Sequence, residues 1–140
     1  MDRPLERWEI LAKDGQYHDA VVEHIKHFDY VSFVGLQSAF KPYFETDGDR
    51  IIEDIEFNRL IWTDMSNLLE GIVMAAINSG QIRVVPCDVM VYYIDGGVLD
   101  MPIAKRPPKG GYKKQRWAPA VLRPAKPKIS RNDVVPEAPD

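Results

Sequence analysis

Between Met65 and Ile77 the apolar residues Met65, Leu68, Leu69, Ile72, Val73, Ala76 and Ile77 recur every three to four positions. That spacing gathers them into one wide stripe along a helix, whereas the two-residue period of a strand would scatter them over both faces. Thr63, Asp64 and Ser66 offer side-chain oxygens that accept the free backbone N–H groups of a first turn. Asn78-Ser79-Gly80 ends the pattern with a glycine suited to the left-handed position that closes many helices. The segment predicts a helix over about 64–79 that must bury one side against other elements.

The preceding chain supplies such elements. Tyr17, Val21, Val22, Ile25 and Phe28 share a helical face while Asp19, Glu23 and Lys26 take the other, which predicts an amphipathic helix over 16–28. Ser32 is placed to cap a short helix carrying Phe33, Leu36, Ala39 and Phe40, stopped by Pro42. Leu5, Trp8, Ile10 and Leu11 suggest a short N-terminal helix or docking arm within 1–15, ended at Asp14-Gly15; Trp8 and Trp62 read as core aromatics. Residues 45–56 read as a charged loop. Their acidic side chains do not form a calcium-binding loop, because the glycine stands second from Asp47 where an EF-hand needs it sixth.

After Gly80 come two apolar runs expected as strands, Ile82–Val85 and Met90–Ile94, joined through Pro86-Cys87-Asp88-Val89. Asp95-Gly96-Gly97 turns the chain again, and Val98–Ile103 is expected as a third short strand. Lys105 to Gly111 then reads as a linker, and six prolines fall between residues 101 and 127. The expected organisation is α+β: an arm (1–15), a small helical domain with a C-terminal hairpin (16–103) and an extended basic, proline-rich tail (104–140). Trp117, Val121 and Leu122 suggest that part of the tail docks onto the domain or onto a partner, with 131–140 expected to be disordered.

The stretch Ile77-Asn78-Ser79-Gly80-Gln81-Ile82-Arg83-Val84-Val85-Pro86, followed by Met90-Val91-Tyr92-Tyr93, resembles a winged-helix domain. In that family a helix ends at a glycine, an apolar residue starts the first wing strand and a short hairpin returns with an aromatic. The resemblance covers about 17–97. It implies a recognition helix over about 64–79 that enters the DNA major groove, with a wing that touches the backbone. That helix contains no Lys or Arg here, its charged residues being Asp64 and Glu70, and the hairpin offers only Arg83. Most protein–DNA hydrogen bonds go to phosphate and sugar, so a helix without cations is poorly suited to groove insertion. Asn67 and Asn78 remain able to contact bases. An acidic winged helix that binds proteins accounts for these charges equally well.

Charge is divided along the chain. Residues 1–100 hold 18 of the 21 acidic groups and 8 of the 18 basic ones, a net of −10, whereas 101–140 carry +7. Such asymmetry points to a basic arm that meets polyanions, though an arm folded onto its own acidic domain has the same composition. The candidate phosphate contacts are Lys105, Arg106, Lys109, Lys113, Lys114, Arg116 and Arg123, joined by Arg83 and Asn67. Tyr112 and Trp117, interleaved with them, are candidates for stacking on exposed bases. The expected partners are therefore DNA or RNA through the tail, or a protein partner or second copy through the domain.

The remaining residues carry no recognisable catalytic signature. His24 and His27 share a helical face, but HExxH and Cys–His metal patterns are missing from the sequence, and both rings are expected to face solvent. Gly96-Gly97 and Gly110-Gly111 lack the strand–loop–helix context of a phosphate loop, and no serine sits in a GxSxG elbow. The expectation is a protein that works by binding, without cofactor or metal; an enzyme with an unfamiliar site is the third alternative. Cys87, the one cysteine, leaves no internal disulfide and fits a reducing cytoplasm. No apolar run approaches the ~18 residues of a membrane span, and the charged N-terminus is unlike a signal peptide.

Overall fold

Helix formation follows the local signals closely. In the computed structural model, which describes residues 3–126, α1 (Arg7–Lys13) begins where the Glu6 N–H donates to Glu9 Oε1 at 2.9 Å. Arg3 holds the same carboxylate through two hydrogen bonds of 2.6 and 2.7 Å. The next helix, α2 (Tyr17–Phe28), buries Ala20, Val21, Val22, His24 and Ile25. After β1 (Val31–Ser32), the Ser32 hydroxyl accepts from the Gly35 N–H at 3.0 Å and so starts α3 (Phe33–Phe40). The long stripe becomes α4 (Asn67–Asn78), capped by Ser66 Oγ on the Leu69 N–H at 3.1 Å, with Gly80 at φ +77° just past its end.

The acidic stretch departs from expectation. Residues 45–56 are not a loop: β2 (Asp47–Asp54) pairs antiparallel with β3 (Arg59–Met65), with register shifts along the ladder. Ile52 lies opposite Trp62 and, with Asp54, is half-buried in a strand that is otherwise exposed. The charges that suggested a loop suit an edge strand, where they discourage pairing with another chain. Buried Gln37 ties this hairpin to α3. Its Oε1 accepts from Trp62 Nε1 at 2.9 Å, while its Nε2 donates to the carbonyls of Thr46 and Asp64 at 3.3 and 3.0 Å.

Downstream of α4 the expected short hairpin is replaced by a longer-range pairing. The first strand forms as β4 (Ile82–Pro86), but Met90–Ile94 is helical, within α5 (Met90–Asp95). Alternation would have buried Met90, Tyr92 and Ile94 together; instead Tyr92 is buried while Met90, Tyr93 and Ile94 stay exposed. Asp88 Oδ1 accepts from the Met90 N–H at 2.9 Å, and Gly96 at φ +89° ends the helix. Val98–Ile103 contributes only an isolated bridge between Ile103 and Trp117. The return strand is β6 (Ala120–Pro124), which pairs with β4 on one side and β1 on the other.

The expected boundary at 103/104 therefore does not hold over its described part. Residues 116–124 contribute β5 (Arg116–Trp117), parallel to β3, and the central strand of the β1-β6-β4 sheet. Trp117, Val121 and Leu122 are fully buried, in line with the docking those residues suggested. The prolines permit this, since Pro119 precedes β6 and Pro124 ends it, so no ladder hydrogen bond is lost inside the strand. The tail residues 127–140 lie outside the described residues.

The result is an α+β fold with five helices and two three-stranded sheets among the described residues. One core lies between the helices and the β1-β6-β4 sheet, where Val21, Ile25, Leu69 and Val73 share a buried cluster with Val31, Ile82 and Leu122. A second, aromatic contact packs α5 against the β2-β3-β5 sheet: Trp62, Tyr92 and Trp117 stand with ring centroids 5.0–6.0 Å apart. The Tyr92 hydroxyl donates to the Ala120 carbonyl at 2.6 Å and accepts from the Phe33 N–H at 3.1 Å. Gln37→Ala would leave the Trp62 N–H unpaired in the interior and take a donor from the Asp64 carbonyl and from the Thr46 carbonyl, which keeps the Ser66 N–H. Urea unfolding of that variant should show a loss of about 2–3 kcal/mol, well above an average surface substitution.

Candidate nucleic-acid interface

Five of the ten basic residues of the expected tail fall in one loop, 104–115, which runs from Ile103 to β5 and is fastened to the turn of the β2–β3 hairpin. The Tyr112 N–H donates to the Phe57 carbonyl at 3.0 Å, and Asn58 Nδ2 donates to the Tyr112 carbonyl at 3.0 Å. Gly111, at φ +87°, lies so close to this turn that a Cβ there would stand 2.9 Å from the Phe57 Cα. The Lys105 N–H donates to the Tyr112 hydroxyl at 2.7 Å, and Gln115 Nε2 donates to Glu53 Oε2 at 2.8 Å. A glycine-rich stretch that reads as a linker is thus held from both ends.

Lys105, Arg106, Lys109, Lys113 and Lys114 are exposed on this loop. Among the described residues none of them takes part in an ion pair. The other predicted contacts are differently employed. The Arg116 guanidinium lies 4.8 Å from the centroid of the Tyr112 ring, half-buried. Arg123 is engaged with Asp29 through Nε and Nη2, each at 2.9 Å. That pairing is the first cause holding the Asp29 carboxyl down at about 2. Arg83 Nε donates to the Pro124 carbonyl at 3.1 Å, and Asn67 opens α4 with its side chain exposed.

The two aromatics expected to stack on bases are already used by the fold. Trp117 is 0% exposed in the aromatic cluster with Trp62 and Tyr92. Tyr112 has Arg116 against its ring and its hydroxyl bonded to Lys105. Their spacing among lysines reflected the anchoring of the loop, so exposed bases would find cations here without those aromatic platforms.

Beside the loop a groove of about 650 Å³ opens between the ends of the two sheets, with Ile61, Val84 and Ile103 on its walls and Arg59 and Lys105 at its rim. Cys87 lines it, but burial, aided by Asp88 and Asp95, pushes its thiol up to about 11. A thiol in that state is a poor nucleophile at neutral pH. Among the described residues no three of His, Cys, Asp and Glu converge as a metal would require, and no helix is long and apolar enough to cross a membrane. Comparison with family models, curated proteins and solved structures finds no match to this chain.

The expectation that both helical histidines face solvent is half wrong. His27 is exposed, 4.0 Å from Glu6, but His24 is buried among Trp8, Phe28 and Phe40. Burial, aided by the nearby His27, lowers the His24 ring to about 4. Its folded pKa is thus below the unfolded value near 6.5, so the fold favours the neutral ring. This contribution is fully present above about pH 6.5 and is lost as pH falls toward 4. Urea titrations should show roughly 2–3 kcal/mol less stability at pH 4.5 than at pH 7 from this group. His24→Phe should flatten that part of the profile. The Glu9 carboxyl, held at about 2 by Arg3, loses its contribution mainly as pH falls from about 4.5 toward 2, so it adds little between pH 7 and 4.5.

Proposed function

We propose that this is a non-enzymatic, winged-helix-like protein that binds nucleic acid through phosphate contacts made by the 104–115 loop. Support for the fold reading comes from the order of its parts. Helices α2 and α3 precede α4, which ends at Gly80 and leads into β4, and β4 pairs antiparallel with β6. The connection between these strands occupies the position of a wing and contains the basic loop. The β2–β3 hairpin is an insertion before α4.

The observation that carries the functional reading is the set of five exposed, unpaired cations on a loop pinned by backbone hydrogen bonds. A pinned loop loses little conformational freedom on binding, and unpaired cations sacrifice no internal partner. With no Lys or Arg on α4, attachment would be to the backbone and largely independent of base sequence. Fluorescence anisotropy against duplex DNA, single-stranded DNA and RNA over a range of salt tests this. Affinity should fall steeply with salt, and Lys109→Ala/Lys113→Ala/Lys114→Ala together should flatten the duplex slope by about 2–3. Absence of binding to all three probes at low salt would remove the reading.

A protein-adaptor role has its own support in the exposed Met90, Tyr93 and Ile94 on α5, near exposed Val98. Contiguous apolar surface of this kind marks partner sites in many proteins. Under that reading Tyr93→Ser/Ile94→Ser would abolish recovery of a stoichiometric partner while leaving the salt-dependent binding of DNA untouched.

A further inference from the structure

Arg83 and Arg123 stand directly opposite each other on β4 and β6. Opposed residues of an antiparallel pair project from the same face, with Cβ atoms about 4.5–5.5 Å apart, and like charges placed so repel. One carboxylate, Asp29, neutralises Arg123 directly and stands within the field of Arg83. Asp29 Oδ1 and Oδ2 take the Arg123 fork, and the Arg83 charge also acts on Asp29. Arg83 itself donates only its Nε to the Pro124 carbonyl and makes no ion pair among the described residues.

The Asp29 backbone is held at φ 51°, ψ 156° and the Tyr30 backbone at φ 55°. Two consecutive non-glycine residues at positive φ are strained, and such strain persists only where surrounding contacts impose it. The contacts here are the arginine fork and the Tyr30 N–H, which donates to Asp29 Oδ1 at 2.7 Å. An oxyanion is therefore delivered, at some conformational cost, to the Arg123 guanidinium and a backbone N–H, with the Arg83 side chain on the opposed strand position free of any ion pair of its own among the described residues. That donor set is also the one that recognises phosphate.

We propose that Arg83 and Arg123 form a phosphate seat on the outer end of the β4–β6 pair, in which Asp29 acts as an internal anion that a phosphate group displaces. Displacement frees the 29–30 turn to relax, which offsets part of the lost ion pair. The nucleic-acid arm of the test rests on the function proposed above; the seat itself does not, because free phosphate has the same chemistry.

The test compares wild type with Asp29→Asn, which removes the charge at similar size, and Asp29→Gly, which also accepts positive φ. The probes are inorganic phosphate, by calorimetry, and duplex DNA, by anisotropy. Both variants should bind phosphate about tenfold more tightly than wild type, and Arg123→Ala added to either should cancel the gain. With duplex, the same variants should bind more tightly and steepen the salt slope by about 1, one further phosphate contact. Asp19→Asn, an equal charge change away from the arginines, should gain nothing. A gain for phosphate without any binding of duplex keeps the seat, assigns it to free phosphate and sinks the nucleic-acid reading alone. No gain for either probe in folded Asp29→Asn, or a gain that survives Arg123→Ala, overturns the seat and leaves Asp29–Arg123 as a clasp between α2 and β6.

Discussion

The pairing of β6 between β1 and β4 is the constraint on which the rest of the fold depends. Without it β1 and β4 have no common partner, and the helices lose the sheet face carrying Leu122. Tyr92 secures the arrangement from the other side, since its hydroxyl bonds both the Ala120 carbonyl and the N–H that opens α3. A buried hydroxyl with two partners fixes position more sharply than apolar contact alone, because losing either partner leaves a polar group unpaired in the interior.

Returning the chain to the middle of the sheet also closes residues 87–119 into a loop tied at both ends. Its middle is fastened to the β2–β3 turn at Phe57 and Asn58, and its last part buries Trp117. The acidic hairpin and the basic loop are consequently neighbours, yet their cations and carboxylates meet little: Gln115, a neutral residue, makes the described side-chain bond to Glu53. The lysines are left to solvent or to an anion from outside. Charge separation along the sequence becomes charge separation on one surface.

Much of the fold was legible because its signals are local. Helix periodicity located α2, α3 and α4, and Ser32, Ser66 and Gly80 act at their ends as their side chains or backbone freedom suggest. The misreadings share a cause. Met90–Ile94 is apolar enough for a strand, but Asp88 caps a helix there and only Tyr92 has a buried place to occupy. The 47–54 strand was hidden by its charges, and 116–124 by its prolines and lysines. Each is decided by the strand it pairs with, the adjacent β3 for 47–54 and strands far along the chain for 116–124, and such pairing leaves no periodic trace. The candidate phosphate contacts were recognisable as residue types. Asp29, which occupies the arginine fork, carried no signal beyond its tolerance of left-handed backbone.

By itself the sequence determined α2, α3 and α4, the serines that cap α3 and α4, and the division of charge, because each depends on residues within a turn or two of one another or on composition alone. Only the tertiary structure decided that the basic segment belongs to the fold, that its aromatics are anchors instead of stacking platforms, and that Arg83 and Arg123 stand side by side. Those outcomes turn on which strand fills the gap between β1 and β4. That choice is settled by burial of Trp117, Val121 and Leu122 and by backbone hydrogen bonds between strands remote in sequence.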